Sequence, residues 1–134
     1  MGFWDDAEVI HAYTRAQAIA DGVLVDVSDR GNVFTYPVAM TATAYALTVA
    51  WTDEDEARKG EGTGQSEAGR IWDVFYLGAI AARRAAGRQR VPYSLMVVPR
   101  EGASVEPVRV ELHLHVGPGD RGEPVLTIML PGED

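Results

Sequence analysis

Between Val105 and Val116 the chain alternates, with Val108, Val110, Leu112, Leu114 and Val116 on one side and Arg109, Glu111, His113 and His115 on the other. A period of two is that of a strand with one packed face and one at least partly wet face. Val91–Val98 and Glu123–Leu130 carry the same period. The C-terminal third therefore predicts three strands. Gly117-Pro118-Gly119-Asp120 fits a type II turn, Pro118 fixing the first central position and Gly119 supplying positive φ at the second. The last two strands are then expected to pair antiparallel.

Helical patterns come earlier. Thr14-Arg15-Ala16-Gln17 has the form of a capping box, which predicts a short helix over about residues 15–21, closed by Gly22 and followed by an extended Val23–Val27. A reversal is expected at Ser28–Asn32. Thr41, Thr43, Tyr45, Leu47, Val49 and Trp51 alternate like a strand, but the intervening alanines favour a helix, and helix is the expectation. Asp53–Gln65, with four consecutive acids and glycines at 60, 62 and 64, reads as a flexible loop. Ser66 and Gly87 bracket a helix over about 67–86, whose Ile71, Trp72, Val74, Phe75, Tyr76, Leu77 and Ile80 fall nearly all round the helical wheel. Such a helix is expected to be central and buried against more than one neighbour. Gly78 and its neighbouring alanines would let other elements approach closely. The expected architecture is one α+β domain over residues 1–134, with N-terminal helices and a central buried helix packed on a C-terminal three-stranded antiparallel sheet.

Composition supports a single globular core: 134 residues, 46% apolar and 24% charged. The absence of cysteine excludes disulfides, thiolate metal sites and cysteine nucleophiles. No stretch has the roughly 20 apolar residues of a membrane helix, and the first residues lack the pattern of a secretory signal, so a cytoplasmic protein without membrane contact is expected. The net charge of −8 resides in the first half: residues 1–67 hold twelve acids and four bases, and residues 68–134 hold eight of each. That field disfavours direct nucleic-acid binding.

Glu111, His113 and His115 share one strand face, with Asp120 in the next turn, and two imidazoles with a carboxylate can hold zinc or iron(II). The plainer reading is a solvent-facing strand surface with polar residues at alternate positions. His11, the third histidine, has nothing to place it nearby. The glycine run before Ser66 lacks the lysine and preceding strand of a phosphate loop. No Gly-x-Ser-x-Gly nucleophile elbow occurs. Arg83, Arg84, Arg88 and Arg90 crowd a helix C-terminus, where the macrodipole favours cations, and can also grip an acidic partner. Asp53, Glu54, Asp55 and Glu56, with Asp5, Asp6 and Glu8, can imitate the spaced charge of a nucleic acid and fill a basic groove on another protein. An acid run is otherwise a solvated surface.

Three blocks carry a family resemblance: Thr14 to Ser28, Gly69-Arg70-Ile71-Trp72-Asp73-Val74, and Gly117 to Asp134. Occurring in this order across nearly the whole chain, they resemble a family of small uncharacterised proteins, a domain of unknown function, carried by bacterial plasmids and integrative mobile elements. That resemblance implies an accessory role, such as dealing with host defence, transfer or maintenance, and carries over no catalytic residue.

The resulting expectation is a non-enzymatic acidic accessory protein that needs no cofactor and binds a protein with a basic surface. Its specific form would be an inhibitor of a host defence nuclease or CRISPR complex. Asp53, Glu54, Asp55, Glu56, Arg83, Arg84 and Arg88 are the expected contact residues. The alternative is a small metal-dependent enzyme with Glu111, His113 and His115 as ligands. A homodimer built on exposed sheet edges is a third reading.

Overall fold

The computed structural model describes residues 13–30 and 33–133. Asp5, Asp6, Glu8 and His11, and part of the reversal at Ser28–Asn32, lie outside the described residues. Among the described residues nine elements follow in order: α1 Arg15–Ala20, β1 Leu24–Asp26, β2 Val38–Thr41, α2 Ala42–Thr48, α3 Asp53–Arg58, α4 Glu67–Arg84, β3 Arg90–Val97, β4 Val108–Pro118 and β5 Pro124–Met129.

The sheet is five-stranded and mixed, in the order β1-β2-β5-β4-β3, which corrects the expected three-stranded antiparallel sheet. β3, β4 and β5 form the antiparallel C-terminal part as read from their alternation. β2 adds to β5 in parallel, with Met40 opposite Ile128, and β1 pairs antiparallel with β2. A four-residue buried strand such as β2, with burial on both faces at Val38, Ala39 and Met40, has no alternation to betray it.

Alternation divides the sheet into two faces. Leu112 and Leu114 of β4, Leu126 and Ile128 of β5, and Val91, Tyr93, Leu95 and Val97 of β3 meet Ala44 of α2 and Ile71, Val74 and Phe75 of α4 in one core. Burial of each large apolar side chain contributes about 1.5–3 kcal/mol, so this layer carries most of the stability. Gly78 of α4 permits its close approach to the sheet, because a Cβ there would lie 3.0 Å from the Tyr93 ring and hydroxyl. The Tyr93 hydroxyl donates to the Val74 carbonyl at 2.9 Å, which satisfies a polar group that burial would otherwise penalise.

Three local expectations change. α4 is amphipathic rather than buried all round: Ile71, Val74, Phe75 and Gly78 face the core, whereas Trp72, Tyr76 and Leu77 face solvent, because the helix covers one face of the sheet and nothing among the described residues covers its back. The expected loop over Asp53–Gln65 begins as α3, capped by Thr52 and Asp55 in a reciprocal box and favoured by acids in its first turn. The turn between β4 and β5 sits two residues later than its proline suggested. Gly117 and Pro118 still pair with Val125 and Pro124, and Gly122, with φ of 81°, supplies the left-handed residue. Among the described residues no helix is long and apolar enough to cross a membrane.

Candidate binding surfaces

The acidic run is half internal. Asp53 and Glu54 are exposed at the start of α3, but Asp55 is fully buried. Its carboxylate accepts from the backbone amide of Thr52 at 2.8 Å, from Nε of Arg100 at 2.8 Å and from Nη2 of Arg58. Burial alone would raise the Asp55 pKa; the Thr52 amide and Arg100 overcome it and hold the group at about 2. Glu56 accepts from Nε1 of Trp51 at 2.9 Å and from the amide and hydroxyl of Thr63, and the Thr63 bonds lower its pKa. Lys59 donates to the carbonyls of Glu101 and Ser104. α3 is thus fastened to the segment after β3 by charge-assisted bonds.

Arg70 is a residue that sequence reading passed over. It is 5% exposed and donates to the carbonyls of Val49 at 3.1 Å, Val98 at 3.0 Å and Leu47 at 3.4 Å, and to Oε1 of Gln65 at 3.0 Å. Its guanidinium also lies over the Trp51 ring, 4.9 Å from the centroid. One cation therefore ties the end of α2, the start of α4 and the end of β3 together. The available signal was an arginine on the same helical arc as Val74 and Ile71.

On the solvent side of α4, Trp72 and Tyr76 stack with centroids 5.3 Å apart and planes 23° from parallel, and they remain 47% and 50% exposed. Arg83 follows three turns after Trp72, and Arg84 and Arg88 are exposed at the same end. Beside it, Phe34, Tyr36, Ala79, Ala82 and Leu114 line an apolar groove of about 290 Å³ that Arg83 borders. The two sets of residues named for partner binding therefore differ: Arg83, Arg84 and Arg88 are exposed at the C-terminal end of the helix that carries the aromatic pair, while Asp55 and Glu56 are engaged within the molecule.

Glu111, His113 and His115 do share the outer face of β4, opposite Ser94, Pro92 and Arg90 of β3. Nε2 of His113 lies 3.1 Å from the Glu111 carboxylate, whereas His115 turns back over Gly117, where a Cβ would come within 2.8 Å of its Cε1. Among the described residues no three His, Asp or Glu side chains converge to hold a metal. His115 instead helps to line a groove of about 430 Å³ under α1, with Arg15, Leu24, Thr127 and Met129. Asp120 lines the same groove as His115 but bonds neither histidine; its carboxylate accepts from the amides of Arg15 at 2.7 Å and Ala16 at 3.1 Å at the start of α1, which lowers its pKa.

Comparison with curated proteins and with solved structures gave no match. The sequence pattern of one family covers residues 1–134, the full length. The chain belongs to DUF6573, a family of unknown function.

Proposed function

We propose that this chain is a non-enzymatic binding protein that docks another protein through the solvent face of α4. The observation that carries this reading is the stacked Trp72–Tyr76 pair left half-exposed on the back of α4, with the exposed Arg83 two turns after Tyr76 and Arg84 and Arg88 exposed at the helix end. Tryptophan, tyrosine and arginine are the side chains that most often dominate binding energy at protein interfaces. A stacked pair held by a helix loses little conformational freedom on docking. The complementary surface is an apolar cleft bordered by carboxylates, which Arg83, Arg84 and Arg88 would face.

An accessory role on a mobile element, with restraint of a host defence complex as its specific form, is the part of this proposal that rests on the resemblance of the three sequence blocks alone. Mimicry of nucleic acid by the acidic run draws less support from the geometry. Asp55 and Glu56 are taken up internally, leaving Asp53 and Glu54 to face a basic partner.

The test is capture from a bacterial lysate by the wild type, by Trp72→Ala/Tyr76→Ala and by Asp53→Asn/Glu54→Gln, with a photocrosslinker at position 77. The aromatic double variant should lose a partner that the acid variant keeps, and the crosslink should join that partner. Retention of the same partner by the aromatic variant would overturn the proposal.

A further inference from the structure

The outer face of the sheet carries a second feature, independent of α4. Arg15 sends Nη1 to the Thr127 hydroxyl at 2.7 Å and Nη2 to the Leu126 carbonyl at 2.6 Å. Both acceptors are neutral, and no carboxylate among the described residues forms an ion pair with this guanidinium within 4.0 Å. Thr127 stands directly opposite His115 on the neighbouring strand, so guanidinium, hydroxyl and imidazole follow one another across the groove. Among the described residues neither ring nitrogen of His115 has a hydrogen-bond partner, and the missing Cβ of Gly117 gives the ring its place.

The remaining walls are apolar: Ala18, Val23, Leu24, Pro118 and Met129. The other polar groups at the rim are already engaged. Tyr13 donates to Asp21, Thr14 accepts from the Gln17 amide, Thr41 donates to Glu133, and Asp120 accepts from the α1 amides. A volume of about 430 Å³ falls within the range of small-molecule sites, about 300–1,000 Å³, which are typically apolar with a few convergent polar groups.

We propose that this groove binds a small organic monocarboxylate, its charged end between Arg15 and His115 and its short apolar body against Leu24, Val23 and Met129. A guanidinium edge is the matched donor for a planar carboxylate. Arg90, opposite His115 and bonded to Met129, brings a second guanidinium to the edge, and Asp26, Asp120 and Glu123 act on Arg15, so the field is mixed and suits a single negative charge better than a phosphate dianion.

The experiment is an amide NMR titration of the full chain with sodium hexanoate, run beside hexanol, which lacks the charge, and inorganic phosphate, which lacks the apolar body. Hexanoate should shift the amides of Ala16, His115 and Thr127 saturably, with hexanol and phosphate weaker by about tenfold, the loss expected for one charge-assisted hydrogen bond. His115→Gln, which removes no hydrogen bond of the fold, should weaken hexanoate by a similar factor while leaving thermal unfolding unchanged. Arg15→Lys, which keeps the charge but not the fork, should weaken it too. Absence of a saturable shift, equal binding of hexanol or phosphate, or an undiminished affinity in His115→Gln would each overturn the proposal.

Discussion

Nε of Arg100 donates to Oδ2 of Asp55 over 2.8 Å, joining residues 45 apart in sequence around a carboxylate with no exposed surface. Removing one member of a buried, hydrogen-bonded ion pair leaves the other uncompensated, which typically costs about 3–5 kcal/mol. Arg100 keeps some solvent contact, so the lower end applies. Asp55→Asn is expected to destabilise the fold by about 3 kcal/mol, measured as the shift in urea midpoint at constant slope. A loss below about 1 kcal/mol, the worth of an ordinary neutral hydrogen bond, would show that the ion pair is not a staple.

The same carboxylate makes stability depend on pH. Its folded pKa of about 2 lies below the ordinary 3.8, so the unfolded chain binds the proton more readily. The stabilisation is therefore complete above pH 4 and is lost as pH falls towards 2. It amounts to about 2 kcal/mol by linkage. Urea unfolding at a series of pH values from 5 to 2 should show this decline, and Asp55→Asn should flatten it.

Arg70 offers a test of geometry against charge. Its bonds to three backbone carbonyls and Gln65 need a planar fork, which a lysine ammonium does not reproduce. Arg70→Lys should lose about 2 kcal/mol despite conserving charge, and Arg70→Ala about 3 kcal/mol or more. Equal stability of wild type and Arg70→Lys in chemical denaturation would contradict this account.

Tyr93→Phe removes one donor from a buried hydroxyl whose acceptor, the Val74 carbonyl, lies within α4. The expected loss is about 1 kcal/mol, read from the unfolding midpoint. By contrast, Trp72→Ala and Tyr76→Ala take away side chains that are half in solvent. Each should change stability by less than about 0.5–1 kcal/mol, so a failure of these variants to bind a partner would reflect recognition and not unfolding.

Local chemistry made a large part of this fold readable. Thr14 and Gln17 form the reciprocal cap their spacing implied, and β3 and β4 follow their alternation closely, whereas β5 is buried on both faces at Val125, Leu126, Ile128 and Met129. Thr41–Trp51 resolves to a helix over Ala42–Thr48, with Thr41 as its cap, since alanine propensity outweighed the alternating pattern there. The Glu111–His113 contact was also legible, because a period of two places those side chains on one face whatever the partner strand is.

What the chain could not reveal locally depends on residues far apart meeting. Met40 opposite Ile128, the joint that turns three strands into five, leaves no mark in either segment alone, because a short strand buried on both faces looks like any apolar stretch. Asp55 was read as one acid in an exposed run until Arg100 and Arg58 closed on it, and Arg70 became a hub only when three loops converged on its guanidinium. Sequence determines backbone preference and periodicity, which are properties of neighbours. Burial, and with it the distinction between a solvated charge and a structural one, is decided by packing across the whole domain.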